Sequence, residues 1–160
     1  MNKHLGPSRD LLQSFGFALH GVWLSLSGRN MRLHFLAAVA VCCGAFAIHA
    51  SGLEWAALVL VIGLVWVAET VNTAFEALTD LSTAEWHPLA QKAKDLAAGA
   101  VLLASITSVA VAVAVLLPAL LHPTQPLRTG WLVAAGVAVL AAGVLMVVDA
   151  VRGHRGPRRG

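Results

Sequence analysis

The sequence has few charged residues, and this scarcity separates it from most soluble proteins. Of its 160 residues only 12% are Asp, Glu, Lys or Arg, whereas 58% are hydrophobic and the mean hydropathy is +0.77. Long uncharged runs carry most of this hydrophobicity, and such runs are typical of membrane-spanning helices. The composition therefore predicts an integral membrane protein with the length of one ordinary domain.

Several signals of other protein classes are also missing. No GxxxxGK phosphate loop or kinase-type Gly-rich loop occurs, so a nucleotide site here has to be of another kind. The histidines other than His87 lack zinc-ligand spacing, and the adjacent Cys42 and Cys43 fit apolar packing better than a disulfide. The net charge of +3 comes from residues that flank apolar helices rather than alternate with aromatics, which disfavours nucleic acid as a partner. No apolar core follows residues 1–10 at signal-peptide distance, so we expect no cleaved signal peptide.

Helical spacing of apolar residues occurs in five segments. The pattern at about 8–27 predicts an amphipathic helix in the membrane interface, because Gln13, Ser14 and His20 interrupt its apolar positions. Transmembrane spans are expected at about 31–50, 53–81, 89–121 and 129–151. Pro88 ends the polar link between the second and third spans. The sequence therefore predicts an all-α membrane protein.

The distribution of lysine and arginine predicts the orientation of these spans. Ten of the eleven lie on one side of the expected membrane, and only Arg128 lies on the other. Because Lys and Arg accumulate in cytoplasmic segments, both termini and the link between the second and third spans are expected in the cytoplasm. The ten are Lys3, Arg9, Arg29, Arg32, Lys92, Lys94, Arg152, Arg155, Arg158 and Arg159.

The second predicted span carries a polar stripe near its end. The stripe consists of Glu69, Asn72, Thr73, Glu76 and Asp80, whose offsets of 0, 3, 4, 7 and 11 residues place them on one helix face. Ionisable side chains in a membrane helix are costly unless they are paired, hydrated or bound to an ion. Three carboxylates on one face also repel one another. The stripe therefore needs a cationic partner.

The depth of the stripe indicates where that partner comes from. Glu69 lies 16 residues after Leu53, or roughly 24 Å along the helix, near the cytoplasmic edge of a hydrocarbon core about 30 Å thick. The third span begins on the same side with Lys92, Lys94 and Asp95. Carboxylates bind Mg²⁺, and lysines and helix starts attract phosphate, so these parts suit phosphoryl transfer from ATP. Glu69, the deepest carboxylate, is placed to accept the proton of a lipid hydroxyl.

These residues carry a resemblance to a known family. The stretch AETVNTAFEALTDLSTAEWHPLAQKAKDLAAGAVLLA, at 68–104, closely resembles the signature of the small prokaryotic diacylglycerol kinase and undecaprenol kinase family. Upstream, RNMRLH at 29–34 and the helix SFGFALHGVW are similar to the undecaprenol kinase branch. The resemblance covers about residues 11–118. It implies a kinase core at 1–121, followed at 122–160 by an extra span and a basic tail.

The resemblance also implies roles for individual residues. Glu69 matches the general base and Glu76 a Mg²⁺ ligand. Nucleotide contacts are implied at Asn72, Glu85, His87, Lys94 and Asp95, and Asp80 is interpreted as supporting structure. ATP and Mg²⁺ are the implied cofactors, and the implied assembly is a homotrimer in the bacterial inner membrane with sites between subunits. Undecaprenol is slightly favoured over diacylglycerol as the lipid alcohol.

One departure from the family pattern keeps alternatives open. Family members carry a metal-binding glutamate just before the R-N pair, where this chain has Gly28. A catalytically inactive membrane scaffold is therefore an alternative, as is a diacylglycerol kinase that makes phosphatidic acid. A proton-coupled transporter is a third hypothesis, but it should hold its glutamate near the midplane and has no use for Lys94 and Asp95.

Overall fold

The computed structural model describes residues 11–26, 28–82 and 86–153, and the regular structure in these ranges is entirely helical. The predicted all-α class is confirmed, and the second and third predicted spans agree with the observed helices to within one residue at each end. The helices are α1 (Leu11–Leu26), α2 (Arg29–Ala47), α3 (Gly52–Ser82), α4 (Pro88–Leu121) and α5 (Thr129–Gly153).

Helix α1 exposes nearly all of its large apolar side chains. Leu11, Phe15, Leu19 and Trp23 are each more than half exposed, whereas Ser25, near the end of the helix, is buried. An aqueous surface does not retain such a row of exposed aromatic and aliphatic groups, but the boundary between lipid head groups and acyl chains does. These exposures support the predicted interfacial position.

Helix α2 ends three residues earlier than the sequence predicted. His49 adopts a left-handed conformation with φ of 57°. The Ala50 N–H donates to the Ala45 carbonyl at 3.0 Å, and the His49 N–H donates to the Phe46 carbonyl at 3.4 Å. This is the Schellman arrangement, which satisfies the last carbonyls of a helix and turns the chain away from its axis. The turn explains why the apolar run up to Ala50 does not continue as a helix.

Local hydrogen bonds also fix the starts of α3 and α4. The Ser51 N–H and hydroxyl both donate to the Glu54 carboxylate, at 2.6 and 2.7 Å, and the Glu54 N–H donates back to the Ser51 hydroxyl. This is a reciprocal capping box. At α4, the Leu89 N–H donates to Nδ1 of His87 at 3.2 Å, and Pro88 occupies the first turn, where no N–H is needed.

The helices alternate in direction, so the bundle has two ends with different side chains. Helix α2 packs mainly against α5, and α3 packs mainly against α4. At one end, which we call the aromatic end, Phe46 contacts Trp55 and Trp131 with ring centroids 4.7 and 5.0 Å apart. The opposite end, which we call the polar end, contains the starts of α2 and α4 and the last turns of α3, including the polar stripe.

Three of these helices, α2, α3 and α4, are long and apolar enough to cross a membrane. In α5 the corresponding apolar stretch, Thr129–Leu145, is shorter. The α5 helix nevertheless lies along α2, because Trp131 contacts Phe46 and Leu145 lines a cavity with Leu36. The helix after residue 128 is therefore confirmed, and its crossing of the membrane stays a prediction.

Candidate functional site at the polar end

The polar stripe divides into a buried part and an exposed part. Glu69 and Asn72 are each only 4% exposed, whereas Glu76 and Asp80 are exposed. The Thr73 hydroxyl donates to the Glu69 carbonyl at 3.0 Å, which satisfies it within α3 itself. The stripe thus runs from a sheltered carboxylate to an open one within two helical turns.

Helix α2 supplies the surroundings of Glu69. The Asn30 side chain lies within hydrogen-bonding reach of the Glu69 carboxyl group, and His34, one turn further along α2, interacts with it electrostatically. The second oxygen of the Glu69 carboxyl group, Oε2, is buried and has no hydrogen-bond partner among the described residues. One oxygen is therefore within reach of a donor on α2, whereas the other has no donor among the described residues.

One turn further along the stripe, Asn72 contacts Glu76. The Asn72 amide nitrogen donates to the Glu76 carboxylate at 3.1 Å. The amide oxygen Oδ1 is buried and lacks a partner within the described part of the chain. Asn72 therefore orients the exposed carboxylate and presents an oxygen of its own beside it.

The start of α4 brings its charged residues to the end of α3. Lys94 pairs with Asp80 at 2.5 Å, and the Gln91 amide donates to Asp95 at 2.7 Å. Within the described ranges, no hydrogen bond or ion pair connects Lys94 or Asp95 with Glu76. The structure thus brings together two separate groups of predicted site residues: Glu69 with Asn72 and Glu76, and Asp80 with Lys94.

The link between α3 and α4 is described only in part. Glu85, predicted as a nucleotide contact, lies outside the described residues. His87 is exposed and uses Nδ1 as the α4 cap, which leaves Nε2 for another partner. A cavity of about 500 Å³ separates the two helix ends, and it is lined by Phe75, Leu78, Thr79, Ser82, His87, Leu89, Ala90 and Ala93.

An apolar groove runs along α3 just below Glu69, on the membrane side of the stripe. It has a volume of about 390 Å³ and is lined by Val22, Ser25, Leu26, Met31, Gly63, Trp66, Val67, Thr70 and Val71. The Ser25 and Thr70 hydroxyls contact each other at 2.9 Å across it. Thr70, which lines the groove, directly follows Glu69 in α3. Trp66 also lines a second cavity of about 150 Å³ together with His34.

The sequence reasoning missed three residues at this end: Asn30, Ser25 and Thr70. A signal for Asn30 was present, because Asn30 and His34 stand four residues apart in RNMRLH and so share one face of α2. Ser25 and Thr70 gave no such signal. Single hydroxyls in apolar helices are common, and only the packing of α1 on α3 brings these two together.

The chain is similar to known proteins of one family. Residues 16–116 match the family described as "Prokaryotic diacylglycerol kinase". A diacylglycerol kinase of Synechocystis sp. is 44% identical over 114 residues, which cover 70% of this chain and 65% of that relative. An undecaprenol kinase of Bacillus subtilis is 37% identical over 118 residues, which cover 73% of this chain and 96% of that relative.

No solved structure matches the chain. The segment that matches the family, 16–116, contains α2, α3 and α4 up to residue 116, and with them the entire polar stripe, whereas α5 lies beyond it. The chain thus spans just under two thirds of the length of the cyanobacterial relative and nearly all of the Bacillus relative. This chain belongs to the prokaryotic diacylglycerol kinase family, a family of lipid kinases.

Proposed function

We propose that the chain transfers the γ-phosphate of ATP to a membrane lipid alcohol, with undecaprenol favoured over diacylglycerol. The observation that carries this proposal is the Glu69 carboxyl group, which is buried with Oε2 lacking a partner among the described residues, one residue before Thr70 of the apolar groove. A buried carboxylate oxygen without a donor is costly. The hydroxyl of a lipid whose chain occupies the groove would supply that donor.

In the proposed reaction, Glu69 acts as the general base. The lipid hydroxyl donates to Oε2, and as its oxygen attacks the γ-phosphorus the proton passes to the carboxylate. The bond from that phosphorus to the β–γ bridging oxygen breaks, which leaves ADP and a lipid phosphate. Asn30 and His34 hold the carboxyl group while this happens. The apolar groove keeps bulk water from competing with the lipid hydroxyl.

The residues nearest the cytoplasmic edge would hold Mg²⁺-ATP. Mg²⁺ prefers oxygen ligands and usually keeps several waters and phosphate oxygens, so one or two protein oxygens suffice. The Glu76 carboxylate and the unpartnered Oδ1 of Asn72 fit this requirement. Bound Mg²⁺ would neutralise charge on the β- and γ-phosphates. We assign the nucleotide to Asn72, Glu76, Lys94 and Asp95, with Glu85 and His87 of the link as further contacts.

We further propose that the working unit is a homotrimer in the inner membrane with both termini in the cytoplasm. In one chain Lys94 is held by Asp80 and Asp95 by Gln91, so these groups do not converge with Glu76 among the described residues. A neighbouring subunit would bring the second set of groups to the first. Four crossings would place Lys94 and the Arg-rich tail on the same, cytoplasmic side.

Two observations favour undecaprenol as the lipid. The RNMRLH segment, shared with the undecaprenol kinase branch, contributes Asn30 and His34 beside the base. The Bacillus relative, aligned over nearly its whole length, is named an undecaprenol kinase. The Synechocystis relative is named a diacylglycerol kinase, which keeps that lipid as the alternative.

The test is transfer of labelled γ-phosphate by the purified full-length protein. Undecaprenol and diacylglycerol are supplied separately in bilayers with Mg²⁺, and the labelled lipid phosphate is separated and counted. We expect transfer to both or to undecaprenol alone. Inactivity on both lipids, with the protein shown to be folded and trimeric, would overturn the proposal.

The inactive scaffold remains a second candidate because of Gly28. This residue caps α2 in an extended conformation, with φ of −64° and ψ of 144°, and because glycine has no side chain it offers no carboxylate to a metal. A Cβ there would meet the Ser25 carbonyl at 3.2 Å, a contact tight enough that the carbonyl must move by a few tenths of an ångström. Gly28→Glu is therefore compared with the natural chain after its folding has been checked by thermal unfolding. Activity that appears only in Gly28→Glu would assign the natural chain to the scaffold function.

A further inference from the structure

A directional chain of hydroxyl hydrogen bonds lies on the wall of the apolar groove, beside Glu69. The Ser25 and Thr70 hydroxyl oxygens lie 2.9 Å apart, and the Thr70 hydroxyl donates to the Trp66 carbonyl at 2.8 Å. A hydroxyl has one hydrogen, and that of Thr70 is already committed to Trp66. Ser25, which is 6% exposed, must therefore be the donor to Thr70.

This direction determines what the groove offers to a ligand. Both hydroxyl hydrogens are used within the protein, so Ser25 and Thr70 present only lone pairs. The other groove residues are apolar except for the indole of Trp66. Neither hydroxyl can donate to a carbonyl oxygen placed beside them, and an unpaired buried acceptor is strongly disfavoured.

The two lipid alcohols differ at the corresponding position. In diacylglycerol, the hydroxyl is joined through a few bonds to ester groups, so a hydroxyl at Glu69 places an ester carbonyl near Thr70, the next residue of the chain. In undecaprenol, the hydroxyl is followed by hydrocarbon alone. We propose that Thr70, which holds the Ser25 hydrogen, is a specificity-determining residue that selects an alcohol without an ester group next to its hydroxyl. This inference rests on the proposed kinase activity.

Two single variants separate this role from a structural one. Both Thr70→Val and Ser25→Ala remove the hydrogen bond that joins α1 to α3, so any loosening of α1 is common to them. Only Thr70→Val releases the Ser25 hydrogen, which then becomes available to an ester carbonyl. In Ser25→Ala, Thr70 still donates to the Trp66 carbonyl and no donor is released.

The measurement is kcat/KM for undecaprenol and for a short-chain diacylglycerol with full-length protein in bilayers. The natural chain should favour undecaprenol by about tenfold or more, as expected when a polar group lacks its partner. Thr70→Val should shift the ratio towards diacylglycerol by about fivefold, the size of one neutral hydrogen bond. Ser25→Ala should leave the ratio within about twofold of the natural value.

Other results would overturn the inference. Equal use of both lipids by the natural chain, or equal shifts in the two variants, would show that the hydroxyls do not select. The buried Nε1 of Trp66 has no partner among the described residues and is the rival donor. If the natural chain phosphorylates diacylglycerol well and Trp66→Phe does not, the ester carbonyl accepts from the indole N–H instead. Inactivity of the natural chain on both lipids would overturn the kinase proposal itself, and the inference with it.

Discussion

The two ends of the bundle differ in how many of their polar groups have hydrogen-bond partners. At the aromatic end, Ser51 and Glu54 cap each other, the Arg128 N–H donates to the Ala47 carbonyl at 3.0 Å, and His49 reaches the Pro126 carbonyl. At the polar end, three buried side-chain atoms of α3 have no partner in the described structure. These atoms are Trp66 Nε1, Glu69 Oε2 and Asn72 Oδ1.

This difference suggests a division along α3, with one end of the helix serving stability and the other serving function. Buried polar atoms without partners cost free energy, and proteins keep few of them. Three of them lie within two turns of α3, and in the reaction proposed above substrate atoms would complete their hydrogen bonding. The aromatic end, with its helix termini closed by caps and ring contacts, is built to hold α2, α3 and α5 together. The following variants test that separation.

Removal of the base is expected to have the largest effect. Glu69→Gln keeps the shape of the side chain and can still bond to Asn30, but it cannot accept a proton. We expect kcat to fall by about 10³-fold, the range attributed to a general base, while the melting temperature stays the same or rises slightly. Initial rates with labelled ATP and thermal unfolding in the same detergent provide the measurement. A variant that keeps more than about a tenth of the activity would remove Glu69 from the mechanism.

Loss of the Glu76 carboxylate is expected to act through Mg²⁺. Glu76→Gln should lower activity at fixed Mg²⁺ by about 10- to 100-fold and raise the Mg²⁺ concentration for half-maximal rate. The matched control is Glu54→Gln, on the same helix at the aromatic end. This control only weakens the capping box, because the glutamine oxygen still accepts from Ser51, and it should leave the Mg²⁺ dependence unchanged. If both variants shift the Mg²⁺ titration equally, the assignment of the metal to the stripe is wrong.

The sequence predicted the stripe well because a helical period is a local property. Glu69, Asn72 and Glu76 had to share a face once the segment was helical, and the apolar run before them set their depth. The end of α2 was less predictable, because a left-handed His49 closes the helix where the apolar pattern continues. Apolar periodicity does not show where the backbone turns.

Contacts between helices were beyond a single sequence for a different reason. Asn30 faces Glu69, and Ser25 bonds to Thr70, only because α1 and α2 pack on one side of α3. The polarity of those residues reveals nothing about the distance between them. The pairing of Lys94 with Asp80, rather than with Glu76, likewise depends on the rotation of α4 about its axis.

At the aromatic end, a substitution should change the stability of the protein without changing its activity. Trp131→Ala removes the stacking of α5 on Phe46, and because Trp131 is 42% exposed we expect a loss of about 1–2 kcal/mol. The rate per folded molecule should stay unchanged. Val133→Ala, on the exposed face of the same helix, is the control and should change neither property. A fall in kcat for folded Trp131→Ala would mean that the two ends are coupled and that the separation fails.

The smallest expected effect concerns Asp80, which stands at the polar end but is exposed like a surface residue. Its side chain is 69% exposed and that of its partner Lys94 is 35% exposed, so water and salt screen the ion pair. Asp80→Asn should therefore change the free energy of unfolding by less than about 1 kcal/mol, and less still at high salt. Lys94 stays free to meet phosphate, so the KM for ATP should move by no more than about threefold. Thermal unfolding at two salt concentrations and ATP titrations measure both quantities. A loss of activity as large as that of Glu76→Gln would instead make Asp80 part of the site. The site would then extend one turn of α3 further than proposed.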